Sequence, residues 1–370
     1  MSVQAGLVGL PNVGKSTLFN ALTMAGASVA SYPFCTIEPN VGMAELSDAR
    51  LEAIVSTINP REVVPASLRF VDIAGLVKGA SQGEGLGNQF LGHIREVDAI
   101  VHVVRCFEEE NVAHVSGIID PLADMEIVDT ELLLADLQAI AKRMERVARD
   151  LKTGEASVKE EMAALQFLEE GLQRGLPARF LANGLPVSTP ERQEKLWQEL
   201  PLLTLKPVVY CANVAEDDLA GSTPAARQVE EYAARQKAGH VVISAQLEAE
   251  LAELPRTEAQ AFLEDMGLKE PGLGRLARVT HRQLGLITFY TVKGPQTRAW
   301  SVPAGTPAPQ AAGKIHTDME RGFIRAEVVN WKELVDTGSF AKAREQGRVR
   351  VEGRDYLIQD GDVVLFRFNV

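Results

Sequence analysis

The stretch GLPNVGKS, residues 9–16 of this 370-residue chain, decides the fold. It fits the pattern GxxxxGK[ST] at every position. A short apolar run over residues 3–8 comes directly before it, and residues 16–23 have a helical pattern. A strand, a glycine-rich loop and a helix in this order form the context that the pattern requires. The sequence therefore predicts a phosphate-binding loop, or P-loop.

Each part of this loop has a physical role in binding phosphate. Gly14 lets the backbone pass close to phosphate oxygens, and the N–H groups at the start of the next helix point toward the anion. Lys15 supplies a mobile positive charge, and Ser16 offers a hydroxyl to Mg²⁺, which prefers oxygen ligands. The predicted nucleotide contacts in the loop are Asn12, Val13, Gly14, Lys15, Ser16 and Thr17.

Short apolar runs alternate with helical stretches through most of the chain. The predicted strands cover residues 41–45, 68–72, 99–104, 207–212 and 240–244. The last three runs are rich in Val and suit strands buried on both faces of a parallel sheet. The alternation predicts a doubly wound α/β domain, a P-loop NTPase of the Ras-like G-domain type, over residues 1–128 and 205–280.

A long helical stretch interrupts this alternation. Apolar residues recur at alternate spacings of four and three from Leu133 to Leu151, and a second seam runs from Val158 to Leu172. A short stretch containing Gly154 separates the seams. We expect an α-helical coiled-coil hairpin inserted over residues 129–204, which serves either as a packing arm or as an arm presented to a partner.

The last part of the chain, residues 281–370, has short strand-like runs separated by Gly, Pro and Asp-Gly turns. The predicted strands cover 286–292, 298–302, 322–329, 348–351, 356–358 and 363–368, with one helix near 330–336. This pattern predicts a small C-terminal α+β domain.

Charge is unevenly distributed between this domain and the rest. The chain has 38 Lys and Arg against 50 Asp and Glu, a net charge of −12. Residues 281–370 have 13 Lys and Arg against 10 Asp and Glu, so they carry +3 and the remainder carries −15. The acidic total disfavours a protein that coats nucleic acid along its whole length, whereas the basic end is a weak indication of contact with RNA.

Cysteine use and apolar run length limit the location. Cys35, Cys106 and Cys211 form no CxxC pair, so neither a disulfide framework nor a zinc site is expected. The first residues lack the features of a signal peptide, and no run approaches 18 apolar residues. We expect a cytoplasmic protein without a membrane partner. No motif demands a dimer, so a monomer is the expectation.

Two further motifs lie where a nucleotide-dependent switch needs them. Asp72 begins a DxxG motif that ends at Gly75, directly after a predicted strand. Asp72 would hold Mg²⁺ through water, and the Gly75 N–H would face the γ-phosphate. Thr36, between the P-loop and DxxG, is the candidate for a second hydroxyl on Mg²⁺. The predicted metal ligands are therefore Ser16, Thr36 and Asp72, and loss of the γ-phosphate would release both loops.

The base-reading motif departs from that of ordinary GTPases. These usually read guanine with NKxD after a strand, whereas this chain has Asn213-Val214-Ala215-Glu216. Val214 cannot lay an ammonium stem across the base, and Glu216 is longer than Asp. Because unpaired polar groups weaken binding strongly, the change indicates altered base choice. Adenine offers a donor and an acceptor that the Asn213 amide can satisfy, and Ser244-Ala245-Gln246 would close the pocket.

The hydrolytic group is also altered. Leu76 follows DxxG where many GTPases place the Gln that orients the attacking water. Either hydrolysis is slow or another group acts. Asn12 is one candidate, because it could help to hold a monovalent cation such as K⁺ near the phosphates. His114 is the other. The predicted catalytic residues are Lys15, Gly75, His114 and Asn12.

Taken together, these residues resemble the YchF family of Obg-related P-loop proteins. The resemblance rests on GLPNVGKST at 9–17, YPFCTIEPN at 32–40, DIAGLVKGAS at 72–81, GEGLGNQFL at 83–91, NVAE at 213–216 and QAAGKIHTDMERGFIRAE at 310–327. It implies an ATP-preferring, Mg²⁺-dependent hydrolase with a coiled-coil insertion and a C-terminal TGS domain of the β-grasp type. It also implies binding to the ribosome, through the large subunit and the 70S particle, with RNA contact through the TGS domain. The family's suspected catalytic histidine falls on His114.

Two alternatives stay open at this point. A GTP-preferring GTPase is the other possibility for the substrate. A nucleotide-gated binding module with negligible hydrolysis is the other possibility for the function, because Leu76 replaces the catalytic Gln.

Overall fold

The structure is a computed structural model that describes residues 3–29, 40–73, 86–108, 119–151 and 155–369. Its strands are β1 (Gln4–Val8), β2 (Val41–Glu45), β3 (Glu62–Val64), β4 (Ser67–Asp72), β5 (Ala99–Arg105), β6 (Val208–Asn213), β7 (Gly239–Ile243), β8 (Leu286–Lys293), β9 (Gln296–Pro303), β10 (Phe323–Asn330), β11 (Arg350–Glu352) and β12 (Asp362–Phe368). Its α-helices are α1 (Lys15–Val29), α2 (Ala49–Ile58), α3 (Leu86–Glu96), α4 (Pro121–Asp150), α5 (Ala156–Gln173), α6 (Ala178–Leu181), α7 (Pro190–Glu199), α8 (Pro224–Arg235), α9 (Ala245–Glu253), α10 (Arg256–Asp265), α11 (Gly272–Gln283), α12 (Ala308–Ile315), α13 (Thr317–Arg321), α14 (Trp331–Thr337) and α15 (Phe340–Glu345). None of these described helices is long and apolar enough to cross a bilayer.

The chain divides into two compact units. Unit 1 contains the described residues of Met1–Thr23, Pro39–Gly42 and Arg69–Leu254. Unit 2 contains those of Met24–Glu38, Met43–Leu68 and Pro255–Val370. Unit 2 therefore starts earlier than the predicted boundary at 281, and it also takes in a segment that lies between the P-loop and Asp72.

A doubly wound sheet positions the P-loop. Its strand order is β2-β4-β1-β5-β6-β7. β1 pairs in parallel with both β4 and β5, and parallel pairs also join β5 to β6 and β6 to β7. Every residue of β5 and β6 is buried, as expected for strands covered on both faces. The predicted α/β fold is confirmed, with the carboxyl ends of these strands at one edge.

The helical stretch has its own apolar core. Ile140 and Val147 of α4 pack with Leu165, Leu168 and Leu172 of α5, so the predicted seams do face each other. α4 begins at Pro121, before the predicted residue 129. Its start is fixed by Asp120, whose side chain accepts a hydrogen bond from the Ala123 N–H at 3.1 Å.

The C-terminal domain contains a mixed sheet in the order β11-β10-β12-β8-β9-β3. β8 and β9 form an antiparallel hairpin, and the last strand, β12, lies parallel to β8. This arrangement is that of a β-grasp domain, as expected. The predicted strand at 356–358 is reduced to an isolated antiparallel bridge between Leu357 and Pro307. In this bridge the Ala308 N–H donates to the Tyr356 carbonyl at 2.8 Å, and the Ile358 N–H donates to the Thr306 carbonyl at 3.0 Å.

Unit 2 also includes α2 and β3, which come from the predicted G domain. β3 pairs in parallel with β9, with Glu62 opposite Gln296. Asp48 caps α2 and accepts a hydrogen bond of 2.5 Å from the Tyr290 hydroxyl. Arg50 forms an ion pair of 2.7 Å with Asp360. These long-range contacts explain why the segment belongs to this unit although it lies close to the P-loop in sequence.

Candidate nucleotide-binding site

The P-loop connects the end of β1 to the start of α1. Asn12 and Gly14 have φ values of 64° and 86°. This left-handed backbone is one that glycine adopts without strain and that Asn tolerates better than most residues. The Leu18 N–H donates to the Gly14 carbonyl at 3.0 Å, so the first helical turn is closed directly after the loop. The local sequence thus forms a turn that leads N–H groups into the helix start.

Two glycines in the loop are required by close packing. A Cβ atom on Gly9 would lie 2.7 Å from the Val103 carbonyl oxygen of β5. A Cβ atom on Gly14 would lie 2.1 Å from the Asn213 Nδ2 atom. Since real Cβ atoms do not approach other atoms this closely, both positions need the absence of a side chain.

Lys15 and Asp72 form an ion pair at the base of the site. Lys15 is 9% exposed, and Asp72 is the last residue of β4. Ser16, at the first turn of α1, is exposed. The structure therefore brings together the P-loop lysine and the DxxG carboxylate, with the Ser16 hydroxyl one residue away in the chain. These oxygen donors suit a hard cation such as Mg²⁺.

Within the described part of the chain no group of three or more His, Cys, Asp or Glu side chains could hold a metal.

Asn213 joins the two loops that flank the site. Its Nδ2 group donates to the Val13 carbonyl at 2.9 Å, and its Oδ1 atom accepts from the Ala245 N–H at 2.9 Å. The side chain is 3% exposed. Both ends of the amide therefore bond to backbone, which makes Asn213 a residue that positions the P-loop and the Ser244–Gln246 loop.

The remainder of the NVAE motif divides into buried and exposed residues. Val214 is 2% exposed, and its N–H donates to the Ile243 carbonyl at 2.9 Å. Glu216 and Asp217 are exposed. Asp218 accepts from the Ser222 N–H and hydroxyl at 2.6 and 2.7 Å. Burial raises its pKa, but hydrogen bonds from Ser222 and Thr223 outweigh this and lower the pKa to about 2. Glu216 and Asp217 are therefore the carboxylates that face the cleft.

The Ser244–Gln246 loop is held by the start of α9. The Ser244 hydroxyl accepts from the Leu247 N–H at 3.4 Å and caps the helix. The exposed Gln246 donates its side-chain amide to Glu250 at 2.9 Å.

The cleft formed by these loops has a volume of about 1000 Å³. Its lining consists of Leu10, Pro11, Asn12, Gly14, Lys15, Ser16, Thr17, Phe107, Asn213, Val214, Ala215, Glu216, Asp217, Ser244, Ala245 and Gln246. Its size suits a nucleotide. Of the predicted nucleotide contacts, only Val13 is absent from this lining, and its carbonyl accepts from Asn213.

An aromatic residue of the cleft and the arginine that supports it were not predicted from the sequence. Phe107 follows β5, and the buried Arg105 guanidinium lies 4.8 Å from the Phe107 ring centroid. Arg105 also donates to the Phe107 carbonyl at 3.2 Å and to the Asn12 carbonyl at 3.3 Å. The signal was available, because residues directly after a parallel strand lie at the binding edge of the sheet.

Four positions singled out from the sequence lie outside the described residues. They are Thr36, Gly75, Leu76 and His114. The glycine-rich residues 79–85 and Cys35 also lie outside them. Cys106 and Cys211 are buried, and neither forms a disulfide within the described residues.

Two family models match this chain. Residues 4–135 match MMR_HSR1, described as a 50S ribosome-binding GTPase, and residues 286–369 match YchF-GTPase_C, described as a protein of unknown function. Curated relatives extend over the whole length. The ribosome-binding ATPase YchF of Bacillus subtilis (strain 168) is 49% identical and that of Escherichia coli O157:H7 is 47% identical, with 100% of each chain covered. The chain belongs to the YchF family.

A solved structure agrees with this membership. The YchF GTPase of Schizosaccharomyces pombe is 32% identical, and the match covers 99% of this chain and 98% of that one with a TM-score of 0.85. The resemblance to the YchF family and the predicted fold class are therefore both confirmed.

Proposed function

We propose that this YchF-family chain is a Mg²⁺-dependent ATPase that binds the ribosome and changes partner affinity with its nucleotide state. The observation that carries the hydrolase assignment is the cleft in which a complete P-loop, the Lys15–Asp72 pair and the NVAE motif meet. The names of the full-length relatives, ribosome-binding ATPases, support the same reading.

ATP is favoured over GTP by the donors and acceptors around the cleft. Guanine O6 is an acceptor and needs a donor. The Ala245 N–H already donates to Asn213, and the Gln246 amide donates to Glu250. Glu216 and Asp217 offer carboxylates that would accept from the adenine N6 amine. Because guanine N1–H and N2 would donate to the same carboxylates, the base preference depends on the donor that guanine O6 lacks. Phe107 would provide a stacking face, which is worth roughly 1–3 kcal/mol for a base on an aromatic ring.

In the loaded site, Lys15 would transfer its ion pair from Asp72 to the β- and γ-phosphates. Ser16 and Asp72 would then hold Mg²⁺ together with Thr36. Held by these residues, Mg²⁺ would supply positive charge to the phosphate oxygens. Asn12, whose left-handed backbone is supported by Arg105, is our candidate for a K⁺ contact. Gly75 and His114 stay predicted catalytic residues.

The chain path supports a switch. The segment with α2 and β3 lies between Thr36 and Asp72 in sequence, yet it belongs to unit 2 with the C-terminal domain. Ordering of the two nucleotide-contacting motifs would therefore act on both ends of a segment that is built into that domain. We therefore expect a change of nucleotide to be transmitted along the chain to this segment.

The ribosome assignment includes the finer expectations. The description of the family model over residues 4–135 as a 50S ribosome-binding GTPase supports the large subunit as the contact, alone and within 70S particles. RNA contact is assigned to residues 281–370, which carry a net charge of +3. Such a protein would act in the cytoplasm, and we propose that it does so as a monomer.

Equilibrium binding of ATP and GTP in the presence of Mg²⁺, together with phosphate release, tests the enzyme assignment. We expect ATP to bind at least tenfold more tightly, which corresponds to about 1.4 kcal/mol. Tighter GTP binding would overturn the base assignment and indicate a GTPase. Tight ATP binding with hydrolysis slower than ribosome exchange would instead indicate a nucleotide-gated binding module.

A further inference from the structure

A buried carboxylate on the C-terminal sheet has three arginine partners. Glu327 of β10 is 4% exposed. Arg367 of β12 donates to it through Nε at 3.1 Å and Nη2 at 3.3 Å. Arg344 of α15 donates to Oε2, and the Arg325 Nη2 atom lies 3.6 Å from Oε1. We refer to Glu327, Arg325, Arg344 and Arg367 as the Glu327 arginine cluster.

Without Glu327, the positive charges of these arginines would repel one another and destabilise the folded domain. Arg325 and Arg367 stand directly opposite each other on β10 and β12. Like charges at opposed positions of a sheet destabilise the pair. Glu327 offsets this repulsion, and Arg344 adds a third charge from a neighbouring helix, next to the Phe340 ring at 5.7 Å.

The cluster holds more positive charge than the carboxylate needs. A single bidentate arginine satisfies a carboxylate, and Arg367 already does so. Three guanidinium groups around one carboxylate leave two positive charges in surplus. The arginine side chains are 46, 51 and 53% exposed, so solvent-facing N–H donors remain on each.

We propose that the Glu327 arginine cluster is a contact site for the phosphodiester backbone of RNA. Guanidinium groups match phosphate in planar, bidentate geometry. The surplus positive charge is local to these half-exposed arginines, so a phosphate group would be attracted to this face of the sheet. The proposal deepens the assignment above, because it rests on a ribosome-bound role and names the side chains that meet RNA.

The test uses the full-length protein with two probes, purified bacterial 70S ribosomes and a labelled 20-nucleotide RNA hairpin. Binding is measured between 50 and 200 mM KCl for wild type, Arg325→Gln and Arg325→Gln/Arg344→Gln. Each lost phosphate contact should lower the slope of log affinity against log salt by about 1. We expect the single variant to bind each probe several-fold more weakly at 100 mM KCl, and the double variant to bind more weakly still.

Arg350→Gln is the matched control. Arg350 is 54% exposed and lies in the same sheet. It stands opposite Val328, whereas the next residue, Val351, stands opposite Glu327, so its side chain points to the other face. The slope of log affinity against log salt for Arg350→Gln should therefore equal that of wild type. If Arg350→Gln loses as much affinity as Arg325→Gln, binding depends only on the total charge of the domain, and the proposal is overturned.

Glu327→Gln separates RNA binding from a merely structural role. It keeps all three arginines and removes the negative charge, so binding should be retained or tightened. If Glu327→Gln binds as weakly as the arginine variants, the cluster acts through folding and the proposal is wrong.

The outcomes distinguish this proposal from the ribosome assignment. One outcome is that wild type binds ribosomes while the arginine variants keep the wild-type slope of log affinity against log salt. In that case the proposed RNA contact at the cluster is wrong and the ribosome assignment stands. If the slope changes with ribosomes but not with the hairpin, the partner is an acidic protein and the RNA assignment is wrong. If the hairpin slope changes but wild type does not bind ribosomes, the cluster stands and the ribosome assignment fails.

Discussion

The nucleotide cleft of unit 1 and the Glu327 arginine cluster of unit 2 are proposed to bind the same chemical group by different means. The cleft would surround phosphate with backbone N–H groups from one continuous loop and a single, nearly buried lysine. The cluster presents half-exposed guanidinium groups from two strands and a helix. A phosphate site built from backbone fails when a single atom is added, whereas one built from exposed side chains weakens stepwise and depends on salt.

The largest expected effect tests the charged centre of the cleft. Lys15→Ala removes the only charge that the P-loop directs at the phosphates, so we expect turnover to fall by roughly a thousandfold or more. Phosphate release under steady state measures it. Lys195→Ala, at an exposed position of α7, is the control and should be unchanged. Undiminished turnover in Lys15→Ala would refute the assignment of the cleft as the active site.

The second prediction tests whether the cleft tolerates one added atom. Gly14→Ala places Cβ 2.1 Å from Asn213 Nδ2 at a φ of 86°, and it should reduce nucleotide affinity at least tenfold. Gly175→Ala has a similar φ of 80° with nothing within 4 Å of the added Cβ. It should cost about 1–2 kcal/mol of stability and leave nucleotide affinity intact. If the two variants bind nucleotide equally well, the close approach of the added Cβ atom to Asn213 does not affect nucleotide binding.

Asn213→Ala tests the positioning role of that side chain. The change leaves the Val13 carbonyl and the Ala245 N–H without their partner. Each unpaired buried group costs roughly 1–3 kcal/mol. We expect ATP and GTP affinities to fall together, so that their ratio stays within about twofold. Calorimetric titration with both nucleotides measures this, and a changed ratio would mean that Asn213 reads the base.

Glu216→Gln should have the opposite pattern. The change keeps an oxygen acceptor for the adenine amine and adds an amide donor for guanine O6, so GTP affinity should rise and the ATP-to-GTP ratio should narrow severalfold. The same titrations provide the measurement, with Asn213→Ala as the comparison. If the ratio is unchanged, base preference depends on other groups, with Phe107 as the next to substitute.

The smallest expected effect is on the pH dependence of stability. It concerns two buried carboxylates, Asp218 and Glu327, which are kept ionised by neutral hydrogen-bond donors in the first case and by arginine charges in the second. Neutral donors lower the pKa of Asp218 to about 2 from an ordinary value of 3.8. For Glu327, burial raises the pKa, but hydrogen bonding by Arg367 and the charges of Arg344 and Arg367 outweigh it and lower the pKa. A lowered pKa adds stability above the unfolded-state value, and this stability disappears as pH falls through the folded-state value.

Asp218→Asn should therefore be less stable than wild type at pH 7, and the difference should shrink as pH falls from about 4 to 2. Urea unfolding across this range measures the difference in free energy. Raising KCl should leave the Asp218 difference almost unchanged but reduce the corresponding difference for Glu327→Gln. Equal salt sensitivity of the two would contradict the distinction between neutral and charged partners.

Much of the cleft was predictable because its parts are local. A P-loop needs eight consecutive residues, and the strand before it and the helix after it follow from short-range periodicity. Other parts were not predictable in detail. The two backbone bonds of Asn213 join loops that lie 200 and 32 residues away in sequence. The same limit hid Arg105, whose bond to Asn12 spans 93 residues. It also hid the partner of residues 356–358, which pair only through a bridge between Leu357 and Pro307.

By itself the sequence determined the P-loop, the order of the switch motifs, the helical seams, the family and the net charge of residues 281–370. Only the tertiary structure decided that α2 and β3 belong to that domain and that three arginines converge on Glu327. The physical reason is range. Loop conformation and periodicity depend on neighbouring residues, whereas strand pairing and the sharing of a buried charge depend on which distant segments the fold brings together.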